Sequence, residues 1–451
     1  MNQSRRTTSA IALIVAVVFS CASCSNNIKT QAHSHPATTT STTVPGVTPT
    51  EIIIGTHQPI SGSDAPGLDQ IAPASAAFYD FINSTGGVHG RSIALKIEDD
   101  ASDPDQASNV IRQLVLSDNV FAIVNGLGTA THSAVEAFLN AEGVPDLFAG
   151  SGCTCWNDLR KQFPLTFGWQ PDTEIEGKLL GQYISQYVKT NPSINRVGYI
   201  YENDQLGHDG IMGLNQEVPA SSVVTQQEYS AAAGTMPEAN QIISNLEASK
   251  VQVAVVVAGA QITALTMEAA AQASYDPIWI VTSSGSDPST LTPLLDTFGA
   301  GAGITFGPTA SARTIENGMV SDSYLPLPSQ SANPWIQLFK KIHDQYIPNL
   351  DFNSQVIYGM AVAYTFYALL QAAGPNPTRQ GVIRALQTAD INGPGLTPFG
   401  YSSSSNQGMQ GGQIVTDVNG ILQPLGPIYL TGDSGSISEY TQSQPPPPPT
   451  F

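Results

Sequence analysis

Cysteine is scarce in this 451-residue chain, with only Cys21, Cys24, Cys153 and Cys155. So few exclude a small scaffold stapled by many disulfides, and no further ligands stand near Cys153 and Cys155 to complete a four-ligand zinc site. Charge is sparse as well: 12% of residues are charged, and 17 basic against 36 acidic side chains leave a formal net charge of −19. A chain this acidic lacks the basic surface that phosphates require, so no nucleic-acid partner is expected. Its balance suits a soluble protein at an exposed surface or in a secreted space. No repeat of 20–50 residues recurs, which excludes a solenoid. What is present is a 41% hydrophobic composition over a length that suits one large two-lobed unit or two to three domains.

The N-terminus reads as an export signal. Arg5 and Arg6 precede a ten-residue apolar run at 10–19, followed by the small residues Ser20, Ala22 and Ser23. A spanning helix needs about 20 residues, so residues 1–23 are expected to be a signal peptide rather than an anchor. Thr7 and Thr8 follow the arginine pair where a twin-arginine signal prefers apolar residues, which favours ordinary secretion. Ala22-Ser23-Cys24 is similar to the end of a bacterial lipobox and nominates Cys24 for lipidation, although Cys21 stands where leucine or valine is usual. Taking Cys21 as the lipid site instead would put Phe19 at a small-residue position. Residues 24–50, rich in Ser, Thr, Asn and Pro, would form a disordered tether, and 431–451 a polar, proline-rich tail.

From Glu51 onward, apolar strands ending in Gly, Ser or Asp loops alternate with helix-period segments such as 71–83 and 105–117. A second series of the same order opens at "NRVGYIYENDQLGHDG". Repeated βα units predict an α/β fold with parallel sheets. Ligands in such sheets lie beyond the carboxyl ends of the strands, where the loops here carry uncharged polar residues.

Other features point to chemistry only weakly. "GDSGS" at 432–436 is similar to a serine-protease nucleophile segment but lacks a partner histidine motif, and "GLGTAT" lacks the third glycine of a dinucleotide fingerprint. His57, His132 and His208 fall on cleft loops, where a ligand contact is the alternative to the favoured reading as structural or solvated; His33 and His35 in the tether make no specific metal site. Cys153 and Cys155 are either two free thiols or, outside the cytoplasm, a disulfide. No metal or cofactor is expected, and no set of acid, base and nucleophile emerges.

The segments "IIIGTHQPISG", "GGVHGRSIALKIEDDASDP", "FAIVNGLGTATHSAVEAFLNAEGVP" and "NSQVIYGMAVAYTFYALLQAAG" closely resemble the periplasmic binding proteins of branched-chain amino acid ABC transporters, over about residues 50–431. The resemblance implies the type I periplasmic binding protein fold: two Rossmann-like lobes with parallel sheets, joined by three crossover strands, with the ligand cleft between them. Lobe 1 would take 51–170 plus 307–401, and lobe 2 would take 171–306 plus 402–430. On the family's ligand loops, "GLGTATHS" nominates Thr129 and Ala130, and "AGSGCTCW" nominates Ser151, Gly152 and Cys153. In lobe 2, Leu206 replaces an aromatic, Gln261 stands near another aromatic contact, and Ser283 and Ser284 occupy the loop where an acidic residue grips an ammonium group. Asp287 is a nearby substitute for that acid.

A buried ammonium without a carboxylate partner is costly. The residues therefore predict a small carboxylate or neutral polar solute rather than a branched-chain amino acid. The implied activity is that of a non-enzymatic solute-binding lipoprotein, anchored by lipid to the outer face of the cytoplasmic membrane, that delivers its solute to ABC permease subunits. An extracytoplasmic sensor of the same fold, signalling through a membrane partner, is the alternative, and an extracytoplasmic hydrolase a more distant one.

Overall fold

The computed structural model describes residues 43–158, 162–230, 234–301 and 312–448. The expected signal peptide and Cys24 lie outside them. Five short strands form the first sheet: β1 (Glu51–Gln58), β2 (Ser92–Asp99), β3 (Ile123–Val124), β4 (Asp146–Ala149) and β5 (Thr166–Gly168). Their spatial order is β2-β1-β3-β4-β5 and all neighbours run parallel.

The second sheet comprises β6 (Val197–Glu202), β7 (Val223–Tyr229), β8 (Val253–Val257), β9 (Ile278–Val281), β10 (Val320–Ser323), β11 (Gly411–Asp417), β12 (Leu422–Leu430) and β13 (Ser438–Glu439). Its parallel part, β7-β6-β8-β9-β10, repeats the order of the first sheet, and β11 to β13 extend it antiparallel. In both sheets the order reverses beside the first strand of the series, which opens a crevice at the strands' carboxyl ends.

The sequence pattern explains these layers. β8 reads VAVVV and every residue is buried, as a parallel strand covered on both faces requires. The helix Pro104–Leu116 turns Ala107, Val110, Ile111, Leu114 and Val115 inward at helical spacing. Its N-terminus is capped by Asp103, whose side chain accepts from the amides of Asp105 and Gln106. The helix Ser354–Ala373 shows no such stripe because it is buried on nearly all sides within the first lobe's core, against Phe78, Trp335 and Phe339.

In the second lobe the helices Thr173–Thr190 and Gln205–Glu217 cross at glycines. A β-carbon on Gly213 would lie 2.0 Å from the Glu174 carbonyl oxygen, a rigid backbone neighbour. Gly213→Ala should therefore push the helices apart and cost about 1–3 kcal/mol, read as a lower urea midpoint; an unchanged midpoint would mean that the contact relaxes freely.

Three boundaries differ from expectation. Residues 44–50 are part of the fold rather than tether: Val44 and Val47 pack on the first core, and the Ile53 amide donates to the Gly46 carbonyl at 2.7 Å. These apolar side chains lie among Thr and Pro, so composition alone averages them away. Within the segment 307–401 assigned to lobe 1, β10 joins the second sheet, pairing with β9 and β11, and the chain returns to the first lobe only after Ser323. The proline-rich end is also tied down to residue 445. β13 pairs with β12, Gln444 bonds Asn333 and the Pro394 carbonyl, and the Trp335 indole N–H donates to the Pro445 carbonyl at 2.7 Å.

Candidate functional site

The first lobe's wall is built from the loops after β3 and β4, whose backbones are laced together. The Gly150 amide donates to the Gly126 carbonyl at 2.8 Å, and the Gly128 amide to the Gly150 carbonyl at 3.3 Å. Gly128, at φ +92°, starts the short helix Thr129–Ser133 without a side-chain cap. Thr129 is thus free of the capping role; its hydroxyl meets that of Ser151 at 2.7 Å. Thr131 instead donates back to the Leu127 carbonyl at 2.6 Å. Ala130 is exposed beside this pair, and Gly152 and Cys153 are buried behind it.

A disulfide joins Cys153 and Cys155. The loop around it is held from inside its own lobe, where the Trp156 indole donates to the Ser151 carbonyl at 3.1 Å. It is also held across the cleft. The Thr154 amide donates to Asp209 at 2.9 Å, and the Thr173 hydroxyl lies 2.9 Å from the carbonyl oxygens of both Gly152 and Leu206. Thr173 and Asp209 were not legible as site residues in the sequence, because each meets its partner only across the two lobes. Leu206, at the start of the helix Gln205–Glu217, contributes its backbone to this seam while its side chain packs on the lobe's core.

On the second lobe, Ser283 and Ser284 sit in the turn after β9 as expected, but their hydroxyls are engaged. Ser283 donates through its hydroxyl to Glu176 at 2.8 Å and through its amide at 3.3 Å. Ser284 donates to the Ala258 carbonyl at 3.1 Å and lies 3.2 Å from the Thr282 hydroxyl. Gln261 is half-buried in the first turn of the helix Ala260–Gln272. Asp287, the nearby substitute acid, caps its own helix through Ser289 and accepts from the Ser354 amide of the other lobe at 3.2 Å.

The acid that takes up the Ser283 hydroxyl is therefore Glu176, buried in the first turn of the helix Thr173–Thr190. Burial, reinforced by the neighbouring Asp322 carboxyl, holds it well above the usual carboxylate range, and burial pushes Asp322 up to about 7. At the carboxyl end of β6, Glu202 is pushed up to about 8 by burial, with Asp204 and Asp64 of the opposite lobe adding to the effect. Among the described residues, no group of three or more His, Cys, Asp or Glu side chains is arranged to hold a metal ion.

Behind the first wall lies a buried histidine pair. His57 Nδ1 stands 2.7 Å from Asp100 Oδ2, His57 Nε2 stands 3.0 Å from His132 Nδ1, and His132 Nε2 stands 3.0 Å from Asp146 Oδ2. The reading of these histidines as structural or solvated resolves into structural for these two and solvent-exposed for His208.

The family model for periplasmic binding proteins matches residues 51–420. The Leu/Ile/Val-binding protein homolog 3 of Brucella melitensis is 31% identical over 94 residues, 21% of this chain; the chain spans about a quarter of that relative's length, 25%. Among solved structures, a substrate-binding periplasmic protein from Ralstonia solanacearum aligns with a TM-score of 0.69 at 21% identity, covering 82% of this chain and 99% of that one. A fatty acid ABC transporter substrate-binding protein from Thermomonospora curvata gives a TM-score of 0.69 at 19% identity, covering 86% and 95%. The structural likenesses establish the shared fold, two α/β lobes with one parallel and one mixed sheet. The family match runs from β1 to β11, and the chain belongs to the periplasmic binding protein family.

Proposed function

We propose that this protein captures a small carboxylate or neutral polar solute between its lobes and delivers it to the permease of an ABC importer. The observation that carries the solute class is the Thr129–Ser151 hydroxyl pair, 2.7 Å apart, in one lobe, together with a serine loop in the other lobe whose acid is buried and already engaged. Two hydroxyls and the adjacent amides suit a carboxylate or polar oxygen. Glu176, with its proton affinity raised, is a poor substitute for a free carboxylate facing an ammonium group. A fatty acid, the cargo in the name of the Thermomonospora neighbour, is likewise a carboxylate without an ammonium.

The test is a thermal-shift screen of the untethered protein against amino acids, amides, carboxylates and sugars, followed by calorimetry. A ligand at 100 times its Kd adds about 2.7 kcal/mol. Thr129→Val combined with Ser151→Ala should weaken the identified ligand about 10- to 100-fold with the fold intact. Tight binding of leucine, isoleucine or valine would overturn the assigned solute class.

For location, we propose a lipid anchor on Cys24 and a disulfide-permissive extracytoplasmic site. Cys24→Ala should move the protein from the membrane fraction to the medium or the soluble envelope fraction. Continued membrane retention would reject Cys24 as the anchor.

A further inference from the structure

His57 is the penultimate residue of β1 and His132 lies in the helix after β3, at the point where the first sheet's strand order reverses. Their rings lie 12° from parallel with centroids 5.3 Å apart. All four ring nitrogens are engaged in a row that reads Asp100, His57, His132, Asp146, and all four side chains are fully buried.

Proton counting decides the state of this row. Three consecutive contacts need three protons, one in each. Two neutral imidazoles bring two, and two carboxylates bring none. With only two protons, either the two rings face each other with bare lone pairs at 3.0 Å or a ring nitrogen turns its lone pair on a carboxylate. Either arrangement leaves a buried polar contact repulsive. The intact row therefore carries one more proton than two neutral rings, and a net charge of −1 rather than −2.

We propose that His57 and His132 share this extra proton and together act as positioning residues for the ligand-facing wall of the first lobe. The inference rests on the reading of that wall as the solute site. Two contacts carry the effect. Gly126 lies directly against the bridge: a β-carbon there would stand 2.5 Å from His57 Nε2 and 2.5 Å from His132 Nδ1. Gly126 in turn accepts from the Gly150 amide, next to Ser151, and lies three residues from Thr129. On the other side, Trp156 sets its ring edge against His132, 4.9 Å between centroids, and donates to the Ser151 carbonyl. A change in the spacing of the two rings thus reaches both Thr129 and Ser151.

The charged groups facing the pair are Asp100 from the loop after β2, Asp146 from β4 and Glu136 from the helix Glu136–Ala141; all are acidic. Burial opposes charge on both rings. On His132 it is outweighed by Asp146, with Glu136 and Asp100 adding to it, so that its proton affinity rises. On His57 burial prevails over the Asp100 hydrogen bond, and the proton affinity falls. The pair thus takes one proton readily and resists a second.

The test is histidine side-chain nitrogen NMR on the ligand-free protein between about pH 5 and pH 8.5, alongside amide spectra of Gly126, Gly128, Thr129 and Ser151. The expected result is one imidazolium shared by His57 and His132 at the acid end, lost in a single step at higher pH, with the four amides shifting at the same midpoint. His132→Gln keeps a donor for Asp146 but cannot share a proton, and should make those amides independent of pH. Two neutral rings throughout, or a ring that titrates while the four amides stay still, would overturn the proposal. A ligand screen without hits would count against the assigned function but would leave these spectra unchanged, so the two failures are distinguishable.

Discussion

Asp146→Ala should lower the free energy of unfolding by about 3–5 kcal/mol, the usual consequence of leaving a buried charged group without its partner. Asp146 is fully buried in β4, between β3 and β5. One of its oxygens accepts from His132 at 3.0 Å and from the Thr166 hydroxyl at 2.8 Å. Removing the carboxylate strands two donors in a site closed to water and raises the cost of the proton held by the histidine pair. Asp146→Asn, which keeps an acceptor oxygen but not the charge, should lose less. Urea titration near pH 6.5 measures both. An alanine variant within about 1 kcal/mol of the parent would mean that the row is replaceable and that packing alone holds this region.

The second large effect is a loss of stability with rising pH, centred on Glu202. Its carboxyl is raised from 4.5 to about 8, so the folded protein holds this proton over a range in which the unfolded chain has released it. The stabilisation is therefore complete below pH 4.5 and is lost as the pH rises to about 8. At roughly 1.4 kcal/mol per unit, the contribution is on the order of 3–5 kcal/mol. Glu202→Gln should flatten that dependence and leave the variant more stable than the parent above pH 8. Part of the repulsion comes from Asp64 across the cleft, so the same change should also favour closure at alkaline pH. The melting temperature recorded from about pH 5 to pH 9 decides this: parallel curves for parent and variant would show that Glu202 does not govern the slope.

Much of the architecture was legible because it rests on local signals. Alternating apolar strands and amphipathic helices, such as 71–83 against the observed Ile71–Ser84, carry their period in consecutive residues. The loops carrying Thr129 and Ser151 follow strands and could be located for that reason, and the structure brings their hydroxyls together. What could not be read is whatever depends on distant partners. Ser283 lies 107 residues from Glu176, and His57 lies 75 from His132. No spacing rule links such positions. The one available hint was that His57 and Asp100 both fall at the carboxyl ends of neighbouring parallel strands, where side chains converge. Likewise, Ser284 could be aligned with a missing acid, but not seen to spend its hydroxyl on the Ala258 carbonyl.

The anchoring of the C-terminal segment has a mechanical consequence. β13 rides on the second sheet, whereas Trp335 and Asn333, which hold Pro445 and Gln444, belong to the first lobe. The chain between them is bonded to both lobes and so ties them together in addition to the covalent crossings of the chain. Any rotation that parts the lobes must either keep within the slack of residues 441–443 or unseat Gln444 and Pro445 from Asn333 and Trp335. The tie uses none of the residues nominated for the solute, so Trp335→Ala should loosen the attachment of one lobe to the other while leaving the Thr129–Ser151 hydroxyl pair in place.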